Sequence, residues 1–394
     1  MKQRYKINFL FCLFLLFTMG TVVSAQQSIP FIKGSYKEAL ERSRIENKPI
    51  FFMCYASWCP HCNKMKKEVF TDSTVAAFYG QHFICAWQDM EEGEGKELHN
   101  KFKIRSYPTF IFLDTSGAVL YRTTGEFKAR EFVIEGANAL TPVKRLSYIK
   151  AQFDQDTSNA DKCFDLLKYL KRADLDYTDV VKKYFSTQHE SDLLSEKNWK
   201  IIAIGTTDIN SREFQFVLNH QTAFAAITST ERVERKIFFL VKDLLTPFVE
   251  EKDTSDYFIY RQPAAAIHLD KIDSLIFFCD IKLYENTKNW EAYKKETLRS
   301  VEKYIFNDYN LLKDISGIYL DHITDNAALT QAIKWTDRSL VLNEEYKTYL
   351  LDAKLHKKAD DQQGAVQMAG KAKEMAVKYG WDHTETDSLL KELE

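Results

Sequence analysis

The sequence predicts a small α/β domain built on a mixed sheet, followed by an all-α region. Strand-like and helix-like stretches alternate from residue 27 to about residue 140, the pattern of a sheet covered by helices. After Pro142 apolar residues recur instead at i, i+3, i+4 and i+7, the spacing of amphipathic helices. No proline follows Pro263, so long later stretches stay compatible with helix. A chain of 394 residues has room for two or more cores.

The first part can be taken element by element. "SYKEALERSRIENK" (Ser35 to Lys48) carries a helical apolar stripe through Tyr36, Ala39 and Leu40, with Ser35 as its cap and Pro49 as its stop. "IFFMCYA" (Ile50 to Ala56) is a continuous apolar run of strand length, as expected for a strand buried on both faces. Helix character resumes from Cys59 through "HCNKMKKEVF", and "HFICAW" (His82 to Trp87) reads as a second buried strand. "GKELHNKF" (Gly95 to Phe102) reads as a helix opened by the acidic loop "DMEEGEG", which lacks the alternating ligand spacing of a calcium loop. "TFIFLD" and "AVLYRT" are two short strands joined through "TSG", a tight hairpin turn. "KAREFVIEGANAL" (Lys128 to Leu140) is the closing helix.

In the remainder, "CFDLLKYL" and "YTDVVKKYF" are amphipathic, and "WEAYKKETLRSVEKYIFNDYNLLKDI" reads as one helix-compatible stretch. Near the end, "LTQAIKWTDRSLVLN" and "QGAVQMAGKAKEMAVKYGWD" are offset so that Ala332 and Ala365 lie 33 residues apart, close to a tetratricopeptide period. Ala353, Ala365 and Ala372 supply small residues where paired helices would touch. The expected organisation is a signal peptide at residues 1–25, an α/β domain at 26–142 and an α-helical domain at 143–394, tetratricopeptide-like towards its end. A helical region of this kind binds something or braces a neighbour.

The signal peptide rests on three features: Lys2, Arg4 and Lys6, the apolar run "FLFCLFLLF", and the small residues Val23, Ser24 and Ala25. The apolar run is shorter than the roughly 20 residues of a membrane-spanning helix. The mature chain is therefore expected to be exported, most plainly to a periplasm, without stable membrane insertion. A formal net charge of -2 gives no support to a nucleic-acid partner. In an exported chain disulfides persist, which bears on Cys54, Cys59, Cys62, Cys85, Cys163 and Cys279. Cys54 and Cys85 are expected as buried free thiols on neighbouring strands. A pairing of Cys163 with Cys279 cannot be read from sequence.

The chemistry concentrates in "ASWCPHCNKM", residues 56 to 65. Cys59 falls between a buried strand and a helix, where free N–H groups and the helix dipole stabilise a thiolate. Cys62, one turn later and more buried, can resolve a mixed disulfide. A zinc site needs two further ligands at suitable spacing, and no second CxxC exists. A purely structural 59–62 bridge closes too small a loop to constrain the unfolded chain much. Redox exchange is the remaining reading, with no cofactor or metal required. Lys64, Lys66 and Lys67 follow on the same helix and are expected to form a solvated face.

Trp58-Cys59-Pro60-His61-Cys62 after a buried strand, with "SYPTFIFLDTSG" about 45 residues later, resembles the thioredoxin superfamily. The stretches "ENKPIFFMCYASWC" and "EVFTDSTVAAFY" are most similar to exported thioredoxin-like domains such as the C-terminal domain of DsbD. The resemblance covers roughly residues 30 to 140. It implies a thioredoxin fold, a cis Tyr107-Pro108 bond lying against the CxxC, a glycine at Gly125, and a groove for client peptides shaped by Trp58, Pro60, Tyr107 and Pro108. It also implies two departures. Met53 stands where the family carries a buried acid, and Pro60-His61 is the dipeptide of the strong oxidant DsbA. A histidine there can donate towards the Cys59 thiolate and make the disulfide more oxidising. The expected function is thus exported thiol–disulfide exchange with cysteine-containing protein substrates and a redox partner protein, through Cys59 and Cys62 tuned by His61. The direction of electron flow stays open. The alternative is a helical-repeat binding or assembly protein whose α/β domain is a scaffold or redox sensor.

Overall fold

The computed structural model describes residues 28–394, so the expected signal peptide lies outside the described residues. Contacts divide the chain into two compact units. The first runs to Thr206 and includes Ser211–Val217; the second comprises Thr207–Asn210 and Leu218–Glu394.

The first unit opens with helix α1 (Tyr36–Glu46), started by a capping box. The Glu38 amide donates to Ser35 Oγ at 3.3 Å, and the Ser35 amide donates to Glu38 Oε2 at 2.6 Å. Strand β1 (Ile50–Tyr55) leads into helix α2 (Pro60–Lys64), which continues as a π turn through Met65–Val69. Helix α3 (Ser73–His82), strand β2 (Ile84–Asp89), helix α4 (Gly95–Phe102), strands β3 (Thr109–Leu113) and β4 (Val119–Thr124), and helix α5 (Ala129–Leu140) complete the α/β layers. Strand order is β2-β1-β3-β4. β1 pairs parallel to β2, while β1–β3 and β3–β4 are antiparallel, so the sheet is mixed.

The unbroken apolar run of β1 reflects burial on both faces. Phe52 and Cys54 turn to a layer with Tyr36, Leu98 and Phe102. Phe51 turns to an aromatic layer in which its ring lies 4.7 Å from Tyr79 and 5.6 Å from Phe132. Tyr79 and Phe132 stack at 4.6 Å, joining α3 to α5.

Helix α6 (Leu146–Gln155) and helix α7 (Ala160–Arg172) belong to the same unit. Tyr169 of α7 accepts the β4 edge N–H of Arg122 at 3.0 Å, and Thr124 Oγ1 donates to the Arg172 carbonyl at 3.1 Å. An edge strand that would otherwise expose unpaired backbone groups is covered in this way.

The second unit is entirely helical apart from turns. The helix-compatible stretch from Trp290 onward forms two helices, Trp290–Tyr304 and Tyr309–His322. Asp308 caps the second, accepting from the Leu311 amide at 3.0 Å. Helices Asn326–Leu342, Tyr346–Lys358, Gln362–Tyr379 and Thr384–Leu393 follow. Ala353, Ala365, Ala369 and Ala372 are buried together, allowing close helix approach, while Tyr319 and Trp335 anchor a neighbouring core. Among the described residues no helix is long and apolar enough to cross a membrane. Cys54, Cys85, Cys163 and Cys279 are buried free thiols.

Candidate active site

The turn after β1 and the proline inside the CxxC build the site locally. The Cys59 amide donates to the Ala56 carbonyl at 3.1 Å, closing the turn. Pro60 occupies the first helical position, where it loses no hydrogen bond and its fixed φ suits the helix. Cys59 becomes the N-cap, and its sulfur accepts from the Cys62 amide at 3.1 Å. Cys59 and Cys62 are joined by a disulfide with Cα atoms 5.3 Å apart. Cys62 is fully buried and Cys59 is 3% exposed. The first sulfur therefore faces backbone N–H groups and the positive end of the helix, which favour a thiolate once the bond is reduced.

Around this pair the fold gathers segments far apart in sequence. The Tyr107-Pro108 bond is cis. The Trp58 ring meets Tyr107 edge-on at 6.0 Å. Trp58 remains 66% exposed, and its indole N–H donates to Glu91 Oε2 at 2.7 Å. Gly125 adopts φ 98°, a left-handed conformation suited to glycine, and its amide donates to the Pro108 carbonyl at 3.0 Å. A large exposed indole beside an irregular backbone segment can serve as one wall of a peptide groove.

His61 is held from the opposite side of the sequence. Its Nδ1 lies 2.9 Å from Glu126 Oε2, while Lys64 Nζ lies 2.5 Å from Oε1 of the same carboxylate. Hydrogen bonds from Lys64 and His61 hold the Glu126 carboxyl below its ordinary range. Neither Glu126 nor Glu91 stands out from sequence, since each meets its partner across dozens of residues. The nearest signal for Glu126 is its place directly after Gly125.

Lys66 does not share the solvated face expected for Lys64, Lys66 and Lys67. Its ammonium sits 3.1 Å from the Tyr55 ring centroid and 4.9 Å from that of Trp87. Burial pushes it down to about 8, against the attraction of Asp89. Met53, where the resemblance implies an acid, is fully buried and registers opposite Trp87.

A CxxC disulfide between a central strand and a helix, with a cis-proline segment alongside, defines a thioredoxin-type site. The family profile described as a thioredoxin-like domain matches residues 36–139, and the mixed four-stranded sheet flanked by helices there is thioredoxin-like. The disulfide bond reductase DsbH of Chlamydia pneumoniae is 31% identical over 98 residues, covering 22% of this chain and 59% of that protein. The thiol:disulfide interchange protein DsbD of Photorhabdus laumondii is 29% identical over 103 residues, covering 25% of this chain and 18% of that protein. The solution structure of a candidate disulphide-isomerase from Bacteroides thetaiotaomicron aligns at 38% identity, covering 29% of this chain and 94% of that one, with a TM-score of 0.28. The chain thus spans 59% of the DsbH sequence and less of DsbD.

Proposed function

We propose that the chain is an exported thiol–disulfide oxidoreductase that exchanges disulfides with cysteine-containing proteins through Cys59 and Cys62. The observation that carries this reading is the Cys59–Cys62 bond at a helix start, with Cys59 Sγ already accepting a backbone N–H. In the reductive direction, the Cys59 thiolate attacks a client disulfide and one client sulfur leaves as thiolate. Cys62 loses its proton and attacks Cys59 Sγ, the mixed disulfide breaks, and the second client thiolate is released. Two electrons pass to the client, its two thiolates take up the Cys62 proton and one from solvent, and Cys59–Cys62 becomes the disulfide. Oxidation of a client dithiol runs the same steps backward. Trp58, Pro60, Tyr107 and Pro108 would line the client groove, and the N-terminal apolar run supports export. The helical region after residue 142 would dock clients or a redox partner.

Insulin disulfide reduction and oxidation of a dithiol peptide, each measured for wild type and Cys59→Ser, test the reading. Activity in at least one assay that disappears with Cys59→Ser is expected; equal activity of the two proteins in both would overturn it.

A further inference from the structure

Glu126 touches the CxxC helix twice, through two partly exposed contacts. Its position is nonetheless tightly set. The residue before it is tied to the cis-proline segment by the Gly125 amide, and the residue after it is tied to the helix, where the Phe127 amide meets Met65 Sδ at 3.4 Å. Between these anchors one carboxylate oxygen takes His61 Nδ1 and the other takes Lys64 Nζ. An ionised carboxylate only accepts, so His61 Nδ1 carries the proton. The ring is committed to Glu126 through Nδ1.

We infer that Glu126 is a positioning residue that moderates the oxidising strength of the Cys59–Cys62 disulfide by holding His61 and Lys64. The inference rests on the redox reading of the pair. Reduction converts the disulfide and two glutathione thiols into the Cys59/Cys62 dithiol and glutathione disulfide, with two electrons and two protons passing to the protein. Whatever stabilises the Cys59 thiolate favours the reduced form and makes the disulfide a stronger oxidant. The ionised Glu126 carboxylate, tied to His61 and Lys64 of the CxxC helix, adds a negative charge that opposes a thiolate there. It also occupies the Lys64 ammonium and the His61 Nδ1–H that would otherwise be free to favour the thiolate, with Glu68 adding to the pull on Lys64. Both effects have the same sign. Glu126 therefore draws a Pro-His site back from the oxidising end of its range. Side chains of His61 and Lys64 are 64% and 50% exposed, so the effect is screened and moderate.

The test uses the full chain equilibrated in glutathione buffers, with Cys59 thiolate absorbance titrated in parallel. Glu126→Gln is expected to shift the equilibrium towards the dithiol about 3- to 10-fold, which is about 15 to 30 mV for a two-electron couple. The Cys59 titration should move to lower pH. Glu126→Asp should restore most of the wild-type value, and the shift should shrink in a His61→Ala background. It should also fade at about 1 M salt, where the Debye length is about 3 Å. A pair that cycles normally but has one potential and one Cys59 titration in wild type, Glu126→Gln and Glu126→Ala overturns the inference. A wild-type disulfide that never equilibrates with glutathione sinks the redox reading itself, and the inference with it.

Discussion

Six cysteines lie in the described part of the chain, and their surroundings separate two of them from the other four. Desolvation pushes the Cys85 and Cys163 thiols up to about 12 and Cys279 up to about 11, with Cys54 higher still. Such thiols hold almost no thiolate at neutral pH and behave as small apolar residues. Cys59 is the exception, since its sulfur faces a backbone N–H at a helix start. After mild reduction, iodoacetamide at pH 7 is therefore expected to label Cys59 in the native protein while Cys54, Cys85, Cys163 and Cys279 stay unmodified until the chain is denatured. Peptide mass spectrometry reads this directly, and labelling of Cys54 as fast as Cys59 would contradict it. The Cys59–Cys62 pair was legible in the sequence because a strand-like run, two cysteines and a helix pattern sit within a dozen residues, whereas the free state of Cys163 and Cys279 was not. The setting of His61 was not legible, because Glu126 reaches it from 65 residues away. Lys66 likewise looked like a surface lysine, since its burial depends on Tyr55 and Trp87 from two different strands.

Helices α3 and α5 meet at a position where the side chain is a single hydrogen. A Cβ on Gly136 would lie 2.6 Å from Phe78 Cε1 and 3.1 Å from the Tyr79 ring, in the layer where Tyr79 stacks on Phe132. Alanine gains about 1 kcal/mol over glycine in a helix interior. Overpacking a dense core costs about 1–3 kcal/mol, and the Tyr79 ring, stacked on Phe132, has little freedom to give. Packing wins, so Gly136→Ala is expected to destabilise the full chain by about 1 kcal/mol, seen as a lowered unfolding midpoint of the first unit. A raised midpoint would show that the rings yield. The same two helices mark what patterning can and cannot reveal. α5 was readable from its apolar stripe and the proline after it. α3 was not, because "STVAAFYGQH" mixes small, aromatic and polar residues without a clear face, and its start depends on Asp72 accepting the Thr74 and Val75 amides. The break at Ile305–Asp308 was hidden for a similar reason. None of its residues is a proline or glycine, and only the Asp308 cap announces the new helix.

Among the described residues most shifted carboxylates favour neutral pH, and one buried acid, Asp352, opposes them. Glu345 is held low by Lys313, and Asp361 by the Gly364 amide and His356. Groups of this kind stabilise the fold above their unfolded pKa, and that contribution is lost as pH falls through the lower folded value. Asp352 behaves in the opposite way. It is fully buried, accepts from Thr336 Oγ1 at 2.5 Å through one oxygen, and leaves its other oxygen without a partner. Desolvation pushes its carboxyl from 3.8 up to about 6, with Asp337 adding to the rise and His356 and Lys371 opposing it. Because the folded state binds this proton more tightly, the stabilisation is complete below about pH 4 and disappears as pH rises through about 6. Asp352→Asn removes the titration while keeping an oxygen for Thr336. The variant's stability relative to wild type is therefore expected to rise between pH 4 and pH 7, by on the order of 2 kcal/mol at about 1.4 kcal/mol per pKa unit. Hydrogen exchange of amides in Tyr346–Tyr379, followed in the full chain across that range, isolates the second unit from the first. Exchange free energies that stay parallel for the two proteins from pH 4 to pH 7 would mean that Asp352 keeps its charge at little cost, with His356 at 4.0 Å compensating for it.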